Sequence, residues 1–370
     1  MKIFLISIFL LFICFTEISY PQYYYSGTNQ FTVNIMPVFE TWSIKGSTHF
    51  SEFSNIVSLG YYPSHNTSLS FRTKYASVGG DLNNLNGLSD SKISVKQSLS
   101  KYNLIIAAGI NIPSGKTKLS ANQFETVRFI SQDLFGMRTP NFGEGTNVIL
   151  GITWIHKLSD NYVAGFGASY QVKTEYQPLS GFTDKYKPAN EISLTGGIDI
   201  KLSDTQTLTG DIMSVFFGND KVNGSEVFSS GNRTVIDAVY KQYFGFNGLS
   251  ATLLYSIISE KYFEDKLFSN NFTSSIESLK LNPNKFYMGL NFNQRFSNKY
   301  SLSYGIFMNI FEKTASFFSD YTLYGFNITP NIKVSSELNI PVILKYSRGS
   351  APGKPDISSF TIGAGIGILF

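Results

Sequence analysis

Apolar side chains alternate with small or polar ones along most of the chain. Between Phe360 and Phe370 the even-numbered residues are apolar, and the odd-numbered residues up to 367 are threonine or glycine. The same period of two recurs over 162–173, 192–202 and 300–310. Each run covers about ten residues, the length of a strand that crosses a membrane with one face toward lipid and the other toward a lumen. Soluble sandwiches use shorter strands of about five or six residues, so the pattern predicts an all-β, antiparallel transmembrane β-barrel.

The same criterion predicts a barrel of about sixteen strands. They span 31–42, 50–62, 67–78, 89–100, 103–112, 146–157, 161–174, 190–203, 206–218, 231–245, 249–261, 284–296, 299–312, 321–333, 338–348 and 356–370. The segments 31–42 and 231–245 alternate least regularly, and fourteen strands is the alternative count if neither forms a strand.

The connections between these strands are alternately short and long. Lys101–Tyr102, Ser159–Asp160 and Asp204–Thr205 are short turns, whereas the longest connection spans 113–145. Outer-membrane barrels combine short periplasmic turns with longer outer loops. We therefore expect a single barrel domain, residues 21–370, with both termini on the periplasmic side.

The only continuous apolar run lies at the N-terminus. Met1–Lys2 provides a positive start, and Ile3–Phe15 is almost entirely apolar. A run of this length is typical of a secretory signal peptide and is too short to span a bilayer as a helix. We therefore expect residues 1–20 to be a signal peptide, with cleavage between Ser19 and Gln22.

Composition excludes several other classes of protein. Charged residues make up 15% of the chain and apolar residues 42%, with a mean hydropathy of −0.02, which excludes a polytopic helical membrane protein. An aromatic content of 15% excludes a disordered chain. Cys14 is the only cysteine, which excludes a disulfide scaffold and a cysteine zinc site. The net charge of +4 is too small and too dispersed to indicate binding to nucleic acid.

Aromatic residues cluster near both ends of the predicted strands. Beside the short turns are Tyr61, Tyr62, Tyr102, Tyr162, Phe296 and Tyr300, and near the long loops are Trp42, Phe311, Phe317, Phe318, Tyr321 and Tyr346. Aromatic rings with a polar tip favour the membrane–water interface. We therefore expect two aromatic belts.

The 113–145 loop contains a helical signal. Ser120 and Gln123 match a capping box, and Ala121–Ser131 is long enough for about three turns. Phe124, Val127 and Ile130, with Phe129 beside them, would then form an apolar stripe. Such a helix either folds into the lumen as a constriction or packs outside on neighbouring loops. The candidate constriction residues are Phe124, Glu125, Arg128 and Phe129.

Charged residues fall on the polar faces of the predicted strands, where a water-filled lumen would allow charges that lipid excludes. The candidates for lumen selectivity are Arg72, Lys74, Asp199, Lys201, Asp211, Asp237, Lys241, Arg295 and Lys345, and Glu40, Lys173, Arg233 and Lys333 share this orientation. Rings of charge tune ion preference, and the excess of bases predicts slight anion selectivity. The alternative is that these charges pair across the interior.

Residues suited to catalysis are scarce. The three histidines, His49, His65 and His156, are scattered and lack the spacing of a metal site. We therefore expect no enzymatic activity, no cofactor and no bound metal.

The signal peptide, the alternating strands and the terminal Phe370 together resemble a Gram-negative outer-membrane β-barrel of the porin-like class. In that class a final strand ending in phenylalanine is the signal read by the barrel assembly machinery, and Phe370, Ile368 and Ile366 match it. The resemblance implies an outer-membrane location and contact with membrane lipid, lipopolysaccharide and small solutes. Pro113–Lys116 and Tyr186–Pro188 are also similar to barrels of the fatty acid transporter type and the phenol-degradation-pathway type. The sequence contains no Asn-Pro-Ala element of the kind found in the plug of the fatty acid transporters.

Three functions fit these predictions. The first is a channel that passes small solutes passively through a polar lumen. The second is a transporter of hydrophobic compounds, for which Gly363, Gly365 and Gly367 would leave space inside the wall. The third is a structural or secretion-associated barrel that binds partners through the 219–230 and 262–283 loops.

Overall fold

A computed structural model describes residues 29–259, 262–263, 282–314 and 316–370. The predicted signal peptide, residues 1–20, and most of the predicted 262–283 loop lie outside the described residues. Within the described ranges, no helix is long and apolar enough to cross a membrane.

The chain forms a closed antiparallel barrel of sixteen wall strands, which confirms the predicted fold class. Strands are numbered in chain order. Two wall strands are each made of two successive segments: β4 (Leu85–Leu88) with β5 (Ser91–Leu99), and β21 (Ile357–Ala364) with β22 (Ile366–Leu369). The wall consists of β1 (Gln30–Ile44), β2 (His49–Ser64), β3 (Thr67–Gly80), β4 (Leu85–Leu88), β5 (Ser91–Leu99), β6 (Leu104–Ile112), β7 (Asn147–Lys157), β8 (Tyr162–Lys173), β10 (Glu191–Ser203), β11 (Gln206–Phe217), β14 (Arg233–Phe244), β15 (Asn247–Ile258), β17 (Lys285–Arg295), β18 (Tyr300–Phe311), β19 (Thr322–Lys333), β20 (Leu338–Ser350), β21 (Ile357–Ala364) and β22 (Ile366–Leu369).

Four short strands lie outside the wall and form a small separate sheet. They are β9 (Tyr186–Lys187), β12 (Asn219–Val222), β13 (Ser225–Ser229) and β16 (Tyr262–Phe263). Asp220 joins this sheet to the start of β10, because its carboxylate accepts hydrogen bonds from the Tyr186 hydroxyl (2.5 Å) and the Ala189 amide (2.7 Å). These hydrogen bonds therefore hold the loop that precedes β10 to the loop that carries β12.

The first and last wall strands close the barrel. β1 pairs with β2 on one side and with β21 and β22 on the other. At the end of this junction, the Phe31 amide donates to the Phe370 carbonyl (3.2 Å), and the Phe370 amide donates to the Phe31 carbonyl (2.8 Å). Both segments with weak alternation are wall strands, β1 and β14, so the count of fourteen is wrong.

Three neighbouring junctions of the wall lose ladder pairs at one height, and we call this line the proline seam. Pairing is interrupted around Pro330 between β19 and β20, around Pro341 between β20 and β22, and around Pro37 between β1 and the last wall strand. Proline has no N–H to donate to a ladder. The Gly365 amide still donates to the Pro341 carbonyl (2.8 Å).

The two faces of each wall strand differ as the alternation predicts. On the last wall strand, Phe360, Ile362 and Ile366 are exposed, whereas Thr361 and Gly363 are buried. The exposed face of the barrel is thus the apolar one, which suits contact with lipid.

The aromatic belts are confirmed at one end of the barrel only. Tyr102, Tyr162, Phe296 and Tyr300 are exposed beside the short turns. At the other end, Phe317 and Tyr346 are exposed, but Trp42, Phe311 and Tyr321 are almost fully buried inside the barrel. Assigning these three to the outer belt is wrong. Trp42, for example, lies an odd number of residues from the exposed Phe39 and therefore points the other way.

Candidate functional site: the lumen and its inserted loop

The 113–145 loop carries one helix, α1 (Ala121–Ile130). It begins with a complete capping box, in which the Gln123 amide donates to Ser120 Oγ (3.3 Å) and the Ser120 amide donates to Gln123 Oε1 (3.2 Å). The helix forms here because its first free amides are satisfied locally.

The buried face of α1 differs from the predicted stripe. Ile130 is fully buried and Phe129 is partly buried, but Phe124 is 39% exposed. Glu125 and Arg128 form an ion pair (3.6 Å) on the exposed side. Thr126 lies on the buried side instead, because its hydroxyl donates to the Asn83 carbonyl of a neighbouring loop (3.1 Å). Of the four candidate constriction residues, the structure therefore packs only Phe129 against the rest of the barrel.

The loop packs against the inner face of the barrel wall. Phe135 contacts Trp42 of β1 and Phe50 of β2 edge to face, with ring centroids 5.2 and 5.1 Å apart. Phe129 stacks on Phe135 (5.2 Å) and meets Phe318 from the opposite direction (5.1 Å). Because Trp42 and Phe50 point inward, the loop occupies the lumen at its long-loop end.

This aromatic contact belongs to a larger buried cluster that spans several wall strands. It comprises Trp42, Ile44, Phe50, Ala76, Val78, Leu85, Leu119, Ile130, Leu134, Phe135, Met137, Phe142, Phe311, Tyr321, Leu323 and Ile357. Burial of so much apolar surface favours the docked loop. We call this set the loop cluster.

Polar contacts fix the base of the loop. Asp90, which separates β4 from β5, accepts hydrogen bonds from the Gly115 amide (3.1 Å) and the Glu144 amide (2.7 Å). Desolvation raises the pKa of Glu144, with Lys173 opposing and Glu191 adding to the effect. Both ends of the loop are therefore tied to one carboxylate of the wall.

A cluster of charges lies where the loop meets β1 and β2. Glu40 and Glu52 are direct cross-strand partners, and both are buried. Arg138 of the loop interacts electrostatically with both carboxylates, Lys345 with Glu40, and Lys74 with Glu52. The Lys74 ammonium also donates to the Arg138 carbonyl (3.2 Å). Like charges placed opposite each other in a sheet are destabilising, so Arg138 compensates a repulsion built into the wall.

The other candidate lumen charges occupy several environments. Lys345 lies over the Phe307 ring (5.0 Å), and Lys173 forms an ion pair with Glu191. Lys201 and Arg295 instead contact residues of the short turns. Lys201 forms an ion pair with Asp204 (2.5 Å), and Arg295 donates a hydrogen bond to Asn298 (2.9 Å). Arg72 is the cross-strand partner of Lys92, so two basic residues meet on the wall between β3 and β5.

Some charged residues of this lumen were missed by the sequence analysis. Glu52, Lys92 and Lys285 lie on predicted strands and alternate with apolar residues, so the period of two could have assigned them to the lumen. Asp133 and Arg138 lie in the loop, where no period applies. Their place beside Lys285 and Glu40 follows only from how the loop docks.

Comparison with known proteins identifies the fold. No protein-family model and no curated protein matches the chain. Among solved structures, OccAB4 of Acinetobacter baumannii shares 8% identity over 93% of this chain and 99% of its own, with a TM-score of 0.50. OprB of Pseudomonas putida shares 10% over 92% and 94%, with a TM-score of 0.50. The outer membrane protein opdK of Pseudomonas aeruginosa shares 9% over 92% and 98%, with a TM-score of 0.48. At such identities the likeness concerns the fold, and this chain has the fold of outer-membrane β-barrels.

Proposed function

We propose that the protein is an outer-membrane channel that passes small solutes passively, without changing them chemically. The observation that carries the proposal is the closed barrel with an apolar outer face and a charged inner face. A surface of the first kind suits lipid, and one of the second kind suits a water-filled path.

The 113–145 loop would set the width of this path. It docks by its aromatic residues on one side of the lumen and by Arg138 beside Glu40 and Glu52. Basic side chains outnumber acidic ones along the wall, so we propose slight anion selectivity.

Recording of ion currents across planar bilayers tests this function. Purified protein should produce discrete current steps, and a variant that lacks residues 116–143 should produce larger ones. An absence of current from both proteins at any applied voltage would refute the channel.

A transporter of hydrophobic compounds is the second candidate, because part of the lumen wall is apolar. Met36, Val38 and Ile343 form a small buried cluster facing inward. However, the space beside the glycines is already filled: a Cβ at Gly363 would meet Val38 Cγ2 at 2.7 Å, and one at Gly365 would meet Met36 Sδ at 2.5 Å. Faster uptake of an apolar solute than of a polar solute of equal size into vesicles would favour this candidate.

A further inference from the structure

Three carboxylates of the lumen wall lie on consecutive wall strands. Asp199 is on β10, Asp211 on β11 and Asp237 on β14. Asp211 is the direct cross-strand partner of Asp237 on one side and of Gly197 on the other. All three alternate with exposed isoleucines of the outer face, so they point inward. We call Asp199, Asp211 and Asp237 the acidic station.

A glycine shapes the station. A Cβ at Gly197 would collide with Oδ1 of Asp211, so only glycine leaves room for this carboxylate to lean over β10. The lean takes Asp211 away from Asp237, which repels it, and toward the next inward residue of β10, Asp199. Asp211 interacts electrostatically with both of these carboxylates.

One acceptor of the station is not satisfied by the wall. Asp199 is only 5% exposed; Thr209 donates to its Oδ1 (2.7 Å), but its Oδ2 is buried without a hydrogen-bond partner. Asp211 is 9% exposed. Among the described residues, Lys241 is the base that interacts electrostatically with Asp199. The electrostatic interactions of Asp211 come from the other two carboxylates, not from a described base.

The acidic station lacks a cationic hydrogen-bond donor. A buried acceptor without a donor and a like-charged pair on facing strands are both unfavourable. A cation that carries N–H donors would relieve both at once. Among the described residues, no three acidic, cysteine or histidine side chains are grouped to hold one metal ion. An ammonium group needs no such set of three, because it can donate to a single carboxylate oxygen such as Asp199 Oδ2 and use its other donors on water or on the neighbouring Asp211.

We propose that the acidic station binds the ammonium group of a primary amine that passes along the lumen. This inference rests on the proposed channel function, since the station needs a solute path to be reached. It names the solute chemistry that this part of the wall selects. The basic residues elsewhere in the lumen would set the overall ion preference, whereas the acidic station would bind the ammonium group at one place along the path.

Calorimetric titration of the detergent-solubilised protein tests the station without requiring a current. We expect 1,4-diaminobutane to bind to the unaltered protein and to bind about tenfold more weakly to Asp211→Asn, which removes one charge-assisted hydrogen bond. Asp237→Asn is the second isosteric variant and should show a similar loss. Asp160→Asn, in an exposed turn at the end of β7, is the matched control and should bind as the unaltered protein does.

The probes separate hydrogen bonding from charge alone. The fully methylated diamine has the same charge but no N–H donors, and Mg²⁺ has the same charge as a single ion; both should bind more weakly. Absence of diamine binding, equal binding of either probe, or equal binding by Asp211→Asn would overturn the proposal. Diamine binding by a protein that gives no current in bilayers would overturn the channel function but support the station.

Discussion

Arg138 illustrates how a single side chain can join a loop to a wall. It faces the carboxylates of Glu40 and Glu52, which oppose each other on neighbouring strands. In this respect it differs from Arg128 of the same loop, whose partner Glu125 is exposed like itself. Exposed ion pairs contribute little to stability, whereas removing one member of a buried group of charges leaves the others uncompensated.

We therefore expect Arg138→Ala to undock the 113–145 loop. Arg138 is half-buried and interacts electrostatically with both buried carboxylates, so its loss should cost less than the roughly 3–5 kcal/mol of a fully buried ion-pair partner, and single-channel conductance should rise toward that of the loop-deleted variant. Arg128→Ala is the matched control and should change conductance little, because its exposed pair is worth at most about 1 kcal/mol. Equal conductance changes in the two variants would contradict the role of Arg138.

Glu144 makes docking of the loop sensitive to pH. Its pKa is raised by desolvation in the docked loop, so the ionised carboxylate is less favourable there than in an undocked loop. Protonation therefore stabilises docking, and this contribution is lost as the pH rises through the raised pKa. Lys173 favours the charged form of Glu144, and Glu191 disfavours it.

The expected result is a larger open fraction at about pH 8 than at about pH 5, because the raised pKa of Glu144 keeps more of this carboxyl protonated at pH 5 than an ordinary glutamate with a pKa of about 4 would be. Glu144→Gln should flatten this dependence, because it removes the carboxyl whose pKa is raised in the docked loop. Glu226→Gln removes an exposed carboxylate of β13, in the small separate sheet, and should leave the pH profile unchanged. Recording currents over this pH range checks the prediction, and an unaltered profile in Glu144→Gln would disprove it.

At the scale of the element, α1 is held by one face. Phe129 contacts Phe50, Phe135 and Phe318, whereas Phe124 on the same helix is exposed. Phe129→Ala should loosen the loop by up to about 3 kcal/mol, since buried Phe→Ala changes cost about 3–5 kcal/mol and Phe129 is only partly buried. Phe124→Ala is the control on the same helix. Trypsin should cleave the loop faster in the first variant only.

The last wall strand combines closure of the barrel with the proposed assembly signal. Phe370 lies against Phe31 (ring centroids 6.1 Å apart) and shares the outward face with Ile366 and Ile368. Deletion of Phe370 should lower the amount of barrel in the outer membrane, because it removes both the ring and two closing hydrogen bonds. Phe370→Ala keeps the backbone bonds. Normal assembly of Phe370→Ala together with failure of the deletion would assign the effect to closure alone.

The wall could be predicted from the sequence because a single rule, the period of two, governs every strand. It places Asp199, Asp211 and Asp237 on the lumen face without any knowledge of the neighbours of each strand. The same rule places Trp42 and Phe311 inside, because each lies an odd number of residues from an exposed residue of its own strand, Phe39 and Ile310 respectively. Closeness to a long loop is the weaker indicator.

The loop cluster could not be predicted in this way. It joins Phe50 and Phe135, and Phe318 packs against it; these residues are far apart in sequence and meet only after the barrel has closed. The buried face of α1 was missed for a related reason, because a hydrogen bond from Thr126 to a different loop decides its rotation. No local pattern carries that information.

On the scale of the whole molecule, the proposed orientation places the short turns in the periplasm. The turn at Asn298 lies at the short-turn end of the barrel. The Asn223–Gly224 turn, which connects β12 and β13 of the small separate sheet, lies at the long-loop end. A protease site inserted at Asn223 should be cut on intact cells, and one inserted at Asn298 should be cut only after the outer membrane is permeabilised. The reverse pattern would show that the barrel is inserted the other way round.

The proline seam gives the barrel a direction of easy deformation. A cylinder resists flattening through the hydrogen bonds that run around its circumference, and three neighbouring junctions lack some of these bonds at one height. Proline cannot supply them whatever its neighbours are. In a bilayer, we expect lateral pressure to change the cross-section from a circle toward an ellipse by bending this quarter of the wall first. Pro37, Pro330 and Pro341 thus mark the side on which the barrel should resist flattening least.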